Sequence, residues 1–223
     1  MTFNQLYVIL GSTHLFLVWI FLISYKKNRN KNIPPYMKGF YFYPLVGLIM
    51  ILFFWLDYIK ISPNNLFQTI NTLSLIFHYY FLASFICKVL KLQGIFDFER
   101  ILFWIFLSII ICSEVYDFLN KTRISFIVTN TFLLFFCICY YNKLFKNISV
   151  INLTDEPSFW VITGVFLGMG ITLPFYIFNQ YLFNLISRDN YYLLALMGIS
   201  GYMIMHLFFI KAFLCKTMQF KKS

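Results

Sequence analysis

From Phe3 onward, apolar residues run in stretches of about twenty, separated by short clusters rich in Lys, Arg, Asn, Asp and Pro. Seven stretches can be marked off: Phe3 to Ser24, Gly39 to Leu56, Leu66 to Val89, Ile101 to Asn120, Ile124 to Tyr141, Ser158 to Leu185 and Tyr191 to Leu214. Coiled as helices at 1.5 Å per residue, they match a hydrocarbon layer ~30 Å thick. The segments between them are too short for a soluble domain. The pattern predicts an all-α polytopic membrane protein, a single domain over residues 1–223 folded as a seven-transmembrane-helix bundle.

Composition agrees. At 61% hydrophobic and 12% charged over 223 residues, the chain has too little polar surface to coat a water-soluble globule, and the lipid bilayer is its expected solvent. Cationic loops are retained on the cytoplasmic side. With the N-terminus outside, every Lys and Arg except Lys60, Lys121, Arg123 and Arg188 falls on that side, which predicts an N-out, C-in orientation. The same asymmetry accounts for the +10 net charge without nucleic acid as a partner. No basic residue precedes the first stretch and no small-residue cleavage site accompanies it, so it is expected to be a retained span. Cys87, Cys112, Cys137, Cys139 and Cys215 fall within or at the inner ends of predicted helices, where disulfides are not expected.

Two segments echo each other. IFHYYFLASFICK, Ile76 to Lys88, and IMHLFFIKAFLCK, Ile204 to Lys216, share Ile, His, Phe, Phe, Cys and Lys at the same offsets. A looser echo pairs Thr13–Lys27 with Thr129–Lys143. Together they suggest a 3+1+3 internal repeat about an axis along the membrane normal. That arrangement sets His78 and His206 at equal depth, with His14 on the first helix as a third partner. Two readings stay open. The imidazoles hold a metal or a haem or relay protons, or each neutral ring bonds a neighbouring carbonyl or Tyr hydroxyl and fastens two helices. The second reading needs no cofactor, and none is expected; haem or metal at His78 and His206 is the alternative.

Other polar residues lie toward the outer side. Glu114 stands about two turns from the outer end of the fourth helix, Asp57 and Asp117 mark the outer ends of the second and fourth, and Gln5, Gln68, Asn71 and Asn130 lie at comparable depth. Hydrocarbon cannot satisfy such groups, so they suit an outward-facing ligand pocket or a proton pathway. Glu114, Asp57, Asn71, Asn130, Gln68, His78 and His206 form this candidate set. The plainer reading pairs Glu114 with Lys121 or Arg123 at the rim. Gly164 and Gly168, extended by Gly170, and Gly198 with Gly201 offer small surfaces for close helix packing, within the chain or in a homo-oligomer. Pro174 is expected to kink the sixth helix, and with these glycines makes a candidate packing or hinge set.

Before the sixth helix, INLTDEPSFW collects start signals: Thr154 or Asp155 as a cap and Pro157 in the first turn. The exposed acids there also suit a cytoplasmic partner. The longer segment YYNKLFKNISVINLTDEPSFWVITG, Tyr140 to Gly164, resembles small seven-helix bacterial membrane proteins similar to the membrane part of multi-pass sensor histidine kinases. The resemblance implies a cytoplasmic-membrane location and a sensory or signalling accessory role, with the kinase on another polypeptide. It carries over no catalytic residue.

The sequence holds no HExxH, GxSxG or paired-Asp motif, so no enzyme is expected. Lys211 lies too near the cytoplasmic end for a retinal Schiff base. Pro44 and Pro174 fall in the second and sixth predicted helices, as in sugar transporters of three-plus-one-plus-three design, but at unequal depths. The expected protein couples an outer-side or lipid ligand to a cytoplasmic or membrane partner. A small-solute or proton-coupled transporter is the alternative, and an assembly scaffold or haem- or metal-binding membrane protein stands behind it.

Overall fold

The computed structural model describes residues 3–28, 35–38, 40, 43, 49, 64–92, 99–120, 124–146, 153–185 and 188–215. All regular structure among them is helical: α1 is Phe3–Asn28, α2 the single turn Pro35–Lys38, α3 Asn64–Leu92, α4 Glu99–Asn120, α5 Ile124–Lys146, α6 Pro157–Leu185 and α7 Arg188–Leu214. Six of the seven apolar stretches thus form long helices. The other, Gly39 to Leu56, lies outside the described residues except for Phe40, Tyr43 and Ile49, and Asp57 lies outside them too.

The helix ends follow local chemistry. α5 runs past Tyr141 to Lys146 because Lys143 and Lys146 in its last turn meet the negative end of the helix dipole. Ahead of α6, Leu153–Asp155 winds into a 3₁₀ turn closed by the Glu156 N–H on the Leu153 carbonyl at 3.2 Å. Glu156, and not Thr154 or Asp155, therefore takes the position before the helix, and Pro157 opens it where a missing N–H costs nothing. Pro174 is carried inside α6 without ending it.

None of the long helices gathers its apolar residues on one face. Large apolar side chains accordingly point outward from each: Trp19, Phe77, Trp104 (63% exposed), Phe135, Phe178 and Leu207. Two helices, Ile124–Lys146 and the Pro157–Phe178 part of α6, are long and apolar enough to cross a membrane. Shorter apolar runs occur at Ile76–Leu90 and Gly198–Leu214. The described residues thus supply two candidate spans where the sequence pattern predicts seven.

Contacts run in series: α1 on α7, α7 on α6, α6 on α5, α5 on α4 and α4 on α3. Phe40 joins the two ends of this series, with its ring 4.9 to 6.5 Å from those of Phe21 on α1, Phe85 on α3 and Phe209 and Phe213 on α7. The α6–α7 contact is the most extensive. A Cβ on Gly168 would lie 2.8 Å from the Gly201 carbonyl oxygen, and one on Gly201 would lie 2.7 Å from the Gly168 oxygen and 2.6 Å from Thr172 Cγ2. Gly164 is as crowded, 2.7 Å from Phe208 Cβ, while Gly198 faces the Phe175 ring at 3.0 Å. Gly170 does not extend this surface. Two residues beyond Gly168 it is turned about 200° around the helix, and nothing would meet its Cβ within 4 Å.

Gly201→Ala should therefore force backbone apart and cost about 1–3 kcal/mol, whereas Gly170→Ala should be neutral or gain up to ~1 kcal/mol from helix propensity. Thermal unfolding of the two purified variants distinguishes them; equal melting would contradict the contact.

Candidate ligand site

Consecutive long helices alternate in direction, so Leu92, Glu99, Lys146 and Pro157 mark one end of α3 to α6. Counted from those residues, Tyr79, Glu114, Asn130 and Thr172 each come at about 20 to 24 Å. Buried polar groups from four helices thus share one layer. At its centre the fully buried Asn130 accepts a hydrogen bond from the Tyr79 hydroxyl at 3.3 Å and donates through Nδ2 to Thr172 Oγ1, also at 3.3 Å. Thr172 in turn donates to the Met169 carbonyl at 3.2 Å. Asn130 is a strut joining α3, α5 and α6, with both faces of its amide engaged.

The three histidines meet beside this layer. The ring centroids of His14 and His206 stand 4.6 Å apart, and the Tyr43 ring lies 4.8 Å from His78 and 5.9 Å from His206. His78 Nε2 shares a 3.3 Å hydrogen bond with the Tyr43 hydroxyl. His206 donates from Nδ1 to the Tyr202 carbonyl at 2.6 Å, which fixes its tautomer. The Tyr43 bond is of the strut kind, whereas the Tyr202 carbonyl lies one turn back on α7 itself, so that bond orients the His206 ring without joining two helices. The Tyr43 ring packs against both imidazoles. Among the described residues no three His, Cys, Asp or Glu side chains are gathered to hold a metal ion.

At the other side of the layer, Asp117 reaches from α4 across the turn to α5. Its Oδ1 accepts from the Ile124 N–H at 2.9 Å and its Oδ2 from the Ser125 N–H at 2.7 Å, which satisfies two donors that the first turn of a helix leaves free. One turn deeper, Glu114 is buried at 3% exposure, and its Oε1 has no hydrogen-bond partner. The Ser125 hydroxyl faces this carboxyl within hydrogen-bonding reach, Asp117 stands within electrostatic reach of it, and Tyr79 does so from α3. Yet the buried Ser125 and Thr129 hydroxyls, four residues apart on one face of α5, complete no hydrogen bond either. Ser113, Thr131, Thr163 and Thr172 behave differently: each donates to a carbonyl three or four residues earlier. The rim partners expected for Glu114, Lys121 and Arg123, lie outside the described residues. Gln68 and Asn71 lie on α3, with side chains outside those described.

A second polar group fastens the end of α7 to the turn before α6. Trp160 Nε1–H donates to the Thr154 carbonyl at 2.8 Å, Cys215 Sγ lies 3.4 Å from the same oxygen, and Lys211 Nζ sits 5.5 Å from the Trp160 ring centroid. The Ser158 hydroxyl donates to Glu156 and meets the Tyr140 hydroxyl at 3.4 Å. Burial pushes the Cys215 thiol up. All five cysteines are free. Glu156, an acid that suited an outside partner, is thus engaged within the chain.

The structure brings together Glu114 with Ser125, and His78 with His206 and His14; it holds Asn130 apart as a strut. Residue-by-residue inspection of the sequence passes over Tyr43, Ser125, Thr129 and Thr172. Ser125 and Thr129 had a legible signal, because they fall in register with Leu133, Phe136 and Tyr140 on the buried face of α5. No protein-family model matches the chain, and neither does any curated protein or solved structure.

Asp117→Ala should cost about 1–2 kcal/mol through the lost α5 cap, with Asp117→Asn in between, both read from thermal unfolding. His78→Ala should cost about 2–4 kcal/mol and Tyr43→Phe about 1–2 kcal/mol. The double variant should lose less than the sum, since one bond is shared; strict additivity would show that the 3.3 Å contact contributes nothing.

Proposed function

We propose that this chain is an integral membrane sensory accessory protein, a helical bundle that takes a ligand at Glu114 and passes the change to a cytoplasmic or membrane partner. The observation that carries the reading is the buried Glu114 carboxyl with an unpartnered oxygen, faced by the Ser125 hydroxyl of α5. Bonding groups left open inside an apolar bundle are costly, and they persist where something else completes them. The outward-facing apolar side chains and the two long apolar helices support a place in the membrane. The Tyr140 to Gly164 segment supports the signalling role by its resemblance to sensor-kinase membrane parts.

α5 is the natural carrier of the change. It presents Ser125 and Thr129 at one end and Tyr140 at the other on the same buried face, and Tyr140 meets the Ser158–Glu156 pair ahead of α6. The α6–α7 pair, locked at its glycines, serves as the frame against which α5 moves.

A second reading, proton-coupled transport, draws on the polar layer. Tyr79 links the Glu114 side to the neighbouring histidine cluster, so groups able to handle protons run across the bundle. Capture of partners from native membranes by the tagged protein, beside proton flux in proteoliposomes, separates the two. On the sensory reading a partner is captured by the wild type, capture is altered at least severalfold in Glu114→Gln, and no flux is seen. Flux that disappears in Glu114→Gln, without partner capture, would overturn it in favour of transport.

A further inference from the structure

Two carboxyls stand one turn apart near the end of α4, and their surroundings differ. Asp117 accepts from the Ile124 and Ser125 N–H groups at 2.9 and 2.7 Å, at the positive end of α5. Two amide donors favour its charged form. Glu114 is 3% exposed, and its Oε1 has no hydrogen-bond partner. It lies within electrostatic reach of Asp117, with the Ser125 hydroxyl facing it from α5 and Tyr79 near it from α3. The cations carried by these three helices are Lys88, Lys91, Arg100, Lys143 and Lys146, all toward the opposite end of the bundle. Lys121 and Arg123, in the turn between α4 and α5, lie outside the described residues.

Two neighbouring carboxyls in a poorly solvated site do not both ionise cheaply, and the environment decides which one keeps the proton. The amides assign the charge to Asp117. Glu114 is left to carry the proton, and a neutral carboxyl both donates and accepts. The Ser125 hydroxyl suits either role. Glu114 stands six residues from Asn120, where α4 ends, or about 9 Å along the axis. Protons therefore have a short path to it from that end of the bundle.

We propose that the ligand at Glu114 is a proton, held there while Asp117 keeps its charge, and that its release to water at higher pH shifts α4 against α5. This rests on the reading of Glu114 as the sensory site and names what the site senses. With the proton in place, a neutral Glu114 packs against the Ser125 hydroxyl in the arrangement described. Once the proton has left, two carboxylates repel across one helical turn, and Glu114 is better satisfied by turning toward water at the Asn120 end. The proton enters and leaves on one side, so sensing needs no flux across the bundle.

The test is infrared difference spectroscopy of the purified full-length protein in lipid, titrated from acid to alkaline pH. The chain holds eight Asp and Glu, and exposed carboxyls are ionised at neutral pH. At neutral pH the wild type should therefore show the carbonyl band of a protonated carboxyl, shifted by deuterium oxide, lost at alkaline pH and absent from Glu114→Gln. In Asp117→Asn, which removes the neighbouring charge, the band should vanish at a more acidic pH than in the wild type. Should Glu114→Gln fail to fold, the shift in Asp117→Asn decides the matter. No band at neutral pH, a band that survives in Glu114→Gln, or a titration that Asp117→Asn leaves in place would each overturn the proposal. Glu114→Gln mimics the protonated form, so its severalfold difference from the wild type in partner capture should open at alkaline pH and close at acid pH. A capture difference equal at every pH, with no acid band, would remove the proton and leave the sensory reading; a band lost in Glu114→Gln with no partner captured would keep the proton and remove that reading.

Discussion

Backbone meets backbone between α6 and α7 at Gly168 and Gly201, and the placement of the buried polar groups depends on that approach. Each glycine faces the carbonyl oxygen of the other at a distance that even one methyl group would violate. Because α7 comes so near, Thr172 on α6 packs directly over Gly201, and its hydroxyl is held where Asn130 of α5 can donate to it. Asn130 then accepts from Tyr79 on α3. One residue beyond Gly201, Tyr202 offers the carbonyl that orients His206. A close contact of two small residues therefore sets the geometry of bonds on α3, α5, α6 and α7.

Buried polar groups in this bundle fall into two kinds, and the difference is where function is to be sought. Asn130, Thr172, His78 and Asp117 have found partners on neighbouring elements, and His206 on the preceding turn of its own helix. Where hydrocarbon surrounds the helices, such bonds hold them in register at a modest gain each. Glu114 Oε1 and the Ser125 and Thr129 hydroxyls complete no hydrogen bond. An apolar residue at any of the three positions would avoid the cost of burial, so stability alone gives no reason for these oxygens.

The long helices were legible because an apolar stretch of helical length carries its own boundary signal: Asn120, Ile124, Leu185 and Leu214 end or begin elements where the sequence pattern places them. The small-xxx-small spacing of Gly164 and Gly168 was legible for the same reason, since it depends only on helical geometry. Gly170 shows where inspection misleads, because proximity in sequence stood in for direction around the helix. The partners of the polar residues were not legible. Tyr43 meets His78 across 35 positions and Thr172 meets Asn130 across 42, and nothing local encodes either. The capping of α5 by Asp117 was half legible: an acid near a helix start is a familiar signal, but this one reaches back from the helix before.

Position decides what a ligand at Glu114 can do. A ligand shifts a conformational equilibrium only by the difference between its affinities for the two states. On the proposed reading that difference arises at the α4–α5 contact, where the Ser125 hydroxyl faces the Glu114 carboxyl, and motion that parts the two helices changes the affinity there. α5 also carries Tyr140 to the Ser158–Glu156 pair, and movement of α5 strains that contact in turn. On the proposed reading the two ends of α5 are therefore linked reciprocally: whatever binds the inner end and favours one position of α5 must change affinity at Glu114 by the same factor. A transporter built on the same groups has to break this link once per cycle, opening the polar layer around Asn130, which is bonded on both sides of its amide. The sensory reading asks less of the structure, since it needs only a small displacement of α5 against a fixed α6–α7 frame.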